Sequence, residues 1–152
     1  MGQRNLSNGR GHLFWNDGWD GYSCARARLT GSLQKHMVSS PVVLGGDVHE
    51  NWVGHLKADY ANAASAAIGV EFCGTSVTSR SGGDGKTSQR LAQNPHFVFS
   101  QARSKGYGVV EFGPTQLCTT LRVLDDVSRQ DSGIQTLARF VGRRGESVVE
   151  PI

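Results

Sequence analysis

The apolar positions of this chain follow two periods, one helical and one strand-like. Leu29, Leu33 and Met37 recur every four residues, which places them on one face of a helix predicted over residues 23–37, with Arg26 facing solvent. Elsewhere the apolar residues form short runs of Val, Ile, Thr and Phe bounded by Gly, Pro and Asn, as is typical of strands. The runs predicted as strands span residues 41–44, 52–57, 66–74, 106–112, 117–124 and 134–141.

The order of these elements predicts one α+β domain. The helix is followed by a strand that we expect to be buried on both faces, whereas residues 52–57 alternate and predict a strand with one exposed face. A short second helix is predicted over residues 87–93, and the turns after it favour a largely antiparallel second half. Residues 1–12 are polar and are predicted to be disordered, which leaves the domain at residues 13–152.

Composition limits the partners of this domain. Hydrophobic residues make up 38% of the chain and glycines number 20, which favours strands and loops over a helical bundle. The 16 Lys and Arg exceed the 13 Asp and Glu only slightly and are scattered, so no nucleic-acid partner is expected. No apolar run has the length of a membrane span or of a signal-peptide core, so we expect neither a membrane partner nor an export signal.

One turn carries the strongest chemical signal. Two glycines follow the strand at residues 41–44, and Asp47 and His49 come directly after them. Such a turn lifts both side chains to the C-terminal edge of the strand, where ligands bind in open α/β sheets. A carboxylate and a neutral imidazole are ligands suited to a divalent or trivalent metal ion. The alternative is a surface turn in which Asp47 caps a backbone amide and His49 has no chemical role.

Three further features are weaker. His96 follows Asn94-Pro95 in a loop that can return to the same edge of the sheet, which makes it a candidate catalytic residue. The hydroxyl run over residues 75–79 has two interpretations, a phosphate pocket or the polar end of a strand. His55 lies in a predicted strand, where a structural or surface role is favoured. No Gly-x-Ser-x-Gly elbow is present, so a nucleophilic serine hydrolase is unsupported.

Four motifs, in their order and at their separations, resemble the C-terminal part of the PhoD-like alkaline phosphatases. The resemblance covers nearly all of the chain from about Phe14 onward. The four motifs are Asp17-Gly18-Trp19-Asp20-Gly21-Tyr22, Gly46-Asp47-Val48-His49, Val70-Glu71-Phe72-Cys73-Gly74-Thr75-Ser76-Val77-Thr78-Ser79 and Asn94-Pro95-His96.

This resemblance implies a fold, a chemistry and a set of site residues. The implied fold is α+β, the C-terminal portion of a calcineurin-like metallophosphoesterase β-sandwich with flanking helices. The implied chemistry is hydrolysis of phosphomonoesters and phosphodiesters with iron and calcium. Asp47 and His49 match the metal ligands of the family's Gly-Asp-x-His motif. Glu71, Thr75 and Ser76 match further recurring positions of the family and are candidates for substrate binding. His96 matches another such position and is a candidate catalytic residue.

The chain also departs from the family pattern. The family's earlier ligand motifs, a Cys, a Gly-Asp-Tyr and a Trp-Asp-Asp-His segment, have no counterpart here. We therefore expect a family fragment that is weakly active or inactive alone, because a two-metal centre needs ligands from both parts. The alternative is a non-catalytic fragment or a binding and assembly module. The expected partners are a phosphoester substrate and either the missing N-terminal half or a second copy. Family members are typically exported.

Overall fold

The computed structural model describes residue 2 and residues 4–7, 11–62, 64–80 and 85–152, which form two helices and eight strands. Both predicted helices are found, as are the strands predicted from residue 66 onward, with bounds within two residues of those expected. In chain order the elements are α1 (Ser23–Lys35), β1 (Val42–Gly45), β2 (Asn51–Lys57), β3 (Ala67–Cys73), α2 (Thr87–Gln93), β4 (Phe97–Gln101), β5 (Gly106–Phe112), β6 (Gln116–Leu124), β7 (Ile134–Arg143) and β8 (Glu150–Pro151).

The first four strands form sheet A, in the order β1-β3-β2-β4. β1 runs parallel to β3, and the other neighbouring pairs are antiparallel. This order corrects two predictions about burial. The strand expected to be buried on both faces, β1, lies at the sheet edge with Leu44 59% exposed. The strand expected to have an exposed face, β2, lies between two neighbours and is buried along most of its length, since burial follows position in the sheet as well as side-chain alternation.

The last four strands form sheet B, in the order β5-β6-β7-β8, and every neighbouring pair is antiparallel. Strands that follow one another in the chain are therefore neighbours in space. The β5–β6 turn, for example, is closed by the Gly113 amide, which donates to the Gln116 carbonyl at 2.8 Å. The predicted antiparallel second half is confirmed, and the two-residue strand β8 is an addition to it.

The two sheets pack face to face around one apolar core. Phe140 of sheet B joins them, because its ring centroid lies 6.5 Å from that of Phe72 and 5.5 Å from that of Phe99 in sheet A. The sandwich expected from the family resemblance is thereby confirmed. The buried residues of this core are Val53, Val70, Phe72, Leu117, Leu121, Phe140 and Val149.

The opposite face of sheet A carries a smaller apolar cluster. Because side chains alternate along a strand, Trp52 and Cys73 point away from the core between the sheets. A bulge in β4 turns Phe97 to the same face, where its ring lies 4.9 Å from that of Trp52. Gly54 is required opposite the bulge, since a Cβ there would lie 2.6 Å from the His96 carbonyl oxygen.

The N-terminal segment covers this smaller cluster where the structure describes it. The Gly2 amide donates to a Glu71 carboxylate oxygen at 2.8 Å. Asn5 N donates to Asn94 Oδ1 at 2.7 Å, and Asn94 Nδ2 donates to Asn5 O at 2.9 Å. These residues differ from the predicted disorder because partners remote in sequence satisfy their backbone groups. The parts of the predicted segment that lie outside the described residues are 1, 3 and 8–10.

Helix α1 turns a polar face toward the domain, contrary to the predicted apolar stripe. Its buried residues are Arg26 and Thr30, while Leu29 is 38% exposed. Arg26 is held by an ion pair with Asp20, and its guanidinium lies 4.9 Å from the centre of the Tyr60 ring. Helix α1 therefore faces the domain with Arg26 and Thr30 rather than with Leu29. Among the described residues, neither helix is long and apolar enough to cross a lipid bilayer.

His55 makes the stability of the sandwich depend on pH. Its Nε2 accepts a hydrogen bond from the Val149 amide at 3.1 Å, and burial together with the nearby Lys57 charge lowers its pKa below the usual 6.5. In the unfolded chain His55 has its usual pKa of about 6.5. At a pH between the lowered pKa of the folded state and this value, the unfolded chain therefore binds more protons than the folded one. The free energy of unfolding therefore falls as the pH drops from about 6.5 toward the lowered pKa.

We expect His55→Gln to reduce this pH dependence, because the variant has no imidazole to protonate. Urea unfolding between about pH 7.5 and pH 5 measures the slope of stability against pH. His36→Gln, which changes an exposed imidazole, is the matched control and keeps the wild-type slope. A wild-type slope in His55→Gln would assign the pH dependence to other groups.

Candidate metal centre

The chain turns sharply where β1 ends, over residues 45–50, called the corner below. Asp47 and His49 both have left-handed backbone conformations, with φ angles of 72° and 58°. This conformation costs about 1–2 kcal/mol for a non-glycine residue, so it persists only where surrounding contacts hold it. The contacts that hold the corner are therefore part of the candidate site.

The end of β3 fixes the first half of the corner. The Gly74 amide donates to the Gly45 carbonyl at 3.0 Å, and the Cys73 thiol donates to the Gly46 carbonyl at 3.6 Å. Burial raises the pKa of Cys73, so the sulfur keeps the proton that it donates. Cys73 is thus a structural thiol in this position.

The carbonyl of His49 is held by two donors. Thr75 Oγ1 lies 3.0 Å from it, and Lys105 Nζ lies 3.4 Å from it. Thr75 Oγ1 also lies 3.3 Å from the Ser104 carbonyl, so its hydroxyl joins two loops. Burial lowers the pKa of Lys105, and the Glu50 charge acts in the opposite direction. Thr75, predicted as a substrate-binding candidate, is placed where it supports the backbone of His49.

Glu50 ends the corner and attaches it to α2. Arg90 Nη1 lies 2.8 Å from both Glu50 carboxylate oxygens, and Trp52 Nε1 donates to Oε2 at 3.1 Å. The Arg90 and Glu50 side chains are 21% and 12% exposed, so solvent screens their attraction less than it would at the surface. β3, α2 and the loop before β5 together hold the strained backbone.

The His49 ring is oriented by its Nδ1, which lies 3.0 Å from the Arg80 carbonyl oxygen. Because a carbonyl oxygen only accepts hydrogen bonds, Nδ1 carries a proton, and in a neutral ring Nε2 then carries the lone pair. Metal-binding histidines commonly have this arrangement, in which the second nitrogen donates to a fixed acceptor. The Asp47 carboxylate is exposed on the same corner, so the two residues offer one oxygen and one nitrogen donor.

Two donors do not complete a metal site. In the part of the chain that the structure describes, no three side chains of His, Cys, Asp or Glu are grouped so that they could hold a metal ion. Catalytic metal sites in proteins use about three or more protein ligands. The chemistry of Asp47 and His49 therefore fits part of a metal centre, and the described residues leave it incomplete.

The corner lines an open cavity of about 840 Å³, and Glu71 lies in its wall. The Glu71 side chain is only 1% exposed. It accepts hydrogen bonds from the Gly2 amide at 2.8 Å and from Arg4 Nη2 at 3.3 Å. Glu71, also predicted as a substrate-binding candidate, is thus engaged by the N-terminal segment at the side of the cavity.

Two other predicted residues lie outside this cavity. Ser76 Oγ donates at 2.7 Å to the carbonyl three residues later, as a polar residue after a strand does. His96 lines a second cavity of about 620 Å³, where its ring centroid lies 4.5 Å from that of Phe97 and 5.0 Å from that of Tyr60. The structure therefore brings the corner and Glu71 together and places His96 apart from them.

Three supporting residues have no signal in the sequence. Glu50 and Arg90 are 40 residues apart, and Lys105 is 56 residues from His49. Neither pair belongs to a motif or lies at helical or strand spacing. Only the packing of α2 and the approach of β5 to the corner bring these residues together.

The fold of this chain is shared with a family of known proteins. The sequence model of the PhoD-like phosphatase family matches residues 1–121. The chain belongs to this family. It is 34% identical over 138 residues to alkaline phosphatase D of Bacillus subtilis (strain 168), an alignment that covers 89% of the chain and 24% of that protein. A solved structure described as the structure of PhoD matches with a TM-score of 0.88 and 31% identity, over 99% of this chain and 29% of the other.

These comparisons confirm the family and the fold predicted from the four motifs. The chain spans only part of these two relatives, 24% of the length of one and 29% of the other.

We expect Glu50→Ala to lower the free energy of unfolding by about 2 kcal/mol, because the Arg90 charge and the Trp52 N–H lose their acceptor. Urea unfolding followed by tryptophan fluorescence measures the change. Asp131→Ala is the matched control, since it breaks an ion pair with Arg129 whose side chains are 77% and 62% exposed. The control leaves the unfolding midpoint unchanged. Equal shifts in both variants would show that the Glu50 ion pair does not hold the corner.

Proposed function

We propose that this chain contributes the Asp47–His49 corner to a metal-dependent phosphoester hydrolase of the alkaline phosphatase and phosphodiesterase type. The observation that carries the proposal is the orientation of His49. Its Nδ1 is bound to the Arg80 carbonyl, which leaves Nε2 as the atom that can bind a metal ion, and Asp47 offers an exposed carboxylate on the same corner. Membership of the PhoD-like phosphatase family supports the same chemistry.

The two donors suit an ion that acts on phosphoester substrates. When bound, such an ion neutralises charge on the phosphoryl oxygens and makes water a better nucleophile. Iron and calcium are the ions that the family resemblance favours. His49 supplies an imidazole nitrogen, which iron accepts and calcium, a ligand of oxygen atoms, does not favour. We therefore propose iron for the corner, with Asp47 and His49 as its ligands from this chain.

We propose that turnover by this chain alone is low. The described residues offer two donors at the corner, and the nearby carboxylate of Glu71 is occupied by Arg4 and Gly2. The remaining ligands would come from the part of a PhoD-like phosphatase that the chain does not match. A phosphoester substrate is the proposed small-molecule partner of the complete site.

The second candidate function is a binding or assembly module without catalysis. Its supporting observation is the group of large apolar side chains exposed around the cavity, Trp15, Trp19, Tyr22 and Leu44. Exposed apolar surface of this kind marks interaction sites. Metal affinity separates the two functions, because an assembly module needs no metal ion.

We expect weak binding of one Fe²⁺ ion, measured by isothermal calorimetry without oxygen, and a loss of about tenfold or more in affinity in Asp47→Ala. The removed carboxylate is one of only two donors at the corner. Glu111→Ala is the matched control, because this exposed carboxylate lies on β5 outside the cavity. We expect this variant to bind Fe²⁺ with the affinity of the wild type. Equal losses in the two variants would contradict a site at the corner.

We expect p-nitrophenyl phosphate and bis(p-nitrophenyl) phosphate to be hydrolysed no faster than in a blank that contains iron and calcium without protein. The reason is the incomplete ligand set. Release of p-nitrophenol, followed by absorbance, is the measurement. Turnover by the wild-type chain that Asp47→Ala abolishes would contradict this expectation and would show that the chain forms a working site by itself.

A further inference from the structure

The second cavity of the protein, of about 620 Å³, has no part in the proposed function. Among the described residues, it shares no lining residue with the cavity at the corner. Its volume is in the range of about 300–1,000 Å³ that is typical of small-molecule sites. Its wall includes one lysine and three histidines, and none of the described residues that line it is an aspartate or a glutamate. The cavity is therefore suited to an anion.

One of the three histidines, His12, has its hydrogen-bond role fixed by Asn5. Asn5 Oδ1 accepts from the Ser7 and Leu13 amides, both at 3.1 Å, so the Nδ2 of the same side chain is the donating atom. This Nδ2 lies 3.2 Å from His12 Nδ1, which therefore accepts. In a neutral ring the proton is then on Nε2, and His12 offers the cavity an N–H donor.

A second histidine, His55, has the opposite tautomer for the same reason. Its Nε2 accepts from the Val149 amide at 3.1 Å, so in a neutral ring Nδ1 carries the proton. Lys57, two residues further along β2, also lines the cavity and brings an ammonium group with three N–H donors. Two imidazole donors and one cation are thus placed around the same space.

Contacts between segments remote in sequence hold these donors around the cavity. The His55 amide donates to the His96 carbonyl at 2.8 Å, which joins β2 to the loop before β4. Asn94, in that loop, exchanges two hydrogen bonds with Asn5, the residue that orients His12. The donors are therefore positioned before a ligand arrives, which lowers the cost of binding.

Aromatic rings form another part of the wall. The Phe14 and His12 rings are stacked, with centroids 5.8 Å apart and planes 7° apart. The Tyr60 and His96 rings meet edge to face, with centroids 5.0 Å apart. Aromatic side chains of this kind favour contact with the ring of a ligand. The wall therefore combines donors for an anion with a surface for a planar group.

We propose that this cavity binds a small aromatic phosphate ester, with its phosphate oxygens on His12, His55 and Lys57 and its ring against Phe14 and Tyr60. A phosphate group has three strongly accepting oxygens, which match the two imidazole donors and the ammonium group, whereas a carboxylate has only two. The site does not depend on the metal chemistry of the corner, because none of the described residues that line it lies there.

The imidazole signals of the wild-type chain test this site directly. Long-range ¹H–¹⁵N NMR spectra, recorded without added metal at about pH 7.5, resolve the rings of the five histidines. We expect phenyl phosphate to shift the signals of His12 and His55 and to leave those of His36 and His49 unchanged. The same titration should show about fivefold weaker binding of inorganic phosphate, which lacks the ring, and of benzoate, which lacks the third oxygen.

Two variants test the donors one at a time. Lys57→Met should weaken phenyl phosphate binding by about fivefold or more, because it removes the cation. His12→Phe should do the same, because it keeps a ring beside Phe14 and removes the N–H donor. Lys35→Met and His36→Phe are the matched controls, since they make the same changes at exposed positions outside the cavity. Both controls keep the wild-type affinity within about twofold.

Three outcomes would overturn the proposal. They are unchanged His12 and His55 signals at millimolar phenyl phosphate, equal affinity for phenyl phosphate and for inorganic phosphate or benzoate, and equal losses in the variants and their controls. A shift of the His49 signals alone would also overturn it, because the ligand would then lie at the corner. Since the spectra use the wild-type chain, they decide the question even where a variant fails to fold.

Discussion

The alternation of side chains along β3 connects the core of this protein with its candidate site. β3 lies between β1 and β2 and sends Val70 and Phe72 into the core between the sheets. Its other face carries Glu71 and Cys73 to the cavity. Neighbouring residues of one strand cannot shift independently, so the packing of the core also fixes where these two side chains lie. A slip by one residue would exchange the two sets, and the cavity is therefore as well defined as the core.

The corner is a strained segment held by parts of the chain that are remote in sequence. Two left-handed residues would not persist in an isolated turn. Here the thiol of Cys73, the hydroxyl of Thr75, the ammonium group of Lys105 and the ion pair of Glu50 with Arg90 each bind one point of the segment. The donors of a metal site are useful only when their geometry is fixed in advance, and these contacts supply that rigidity.

Features encoded locally can be predicted from the sequence, and features created by packing cannot. The bounds of most strands follow from composition and period. A short motif marks Asp47 and His49 as candidate ligands, which stays a prediction. The exposure of Leu44 does not, because it depends on β1 having a neighbour on one side only. The burial of Arg26 also escapes prediction, since it arises from an ion pair and a ring contact with Tyr60. The Glu50–Arg90 bond spans 40 residues and leaves no periodic trace.

The two sheets differ in how far apart in the sequence their paired strands lie. Sheet B joins strands that follow one another, whereas sheet A places β1 beside β3 and β2 beside β4. The contacts of the N-terminal segment span still more of the chain: Gly2 reaches Glu71 across 69 residues, and Asn5 reaches Asn94 across 89. Because loop-closure entropy delays long-range contacts, the hairpins of sheet B can form early, and the N-terminal segment can settle only onto a sheet that already exists. We therefore expect the wall of the cavity that Gly2 contributes to assemble only after the sheet on which it packs.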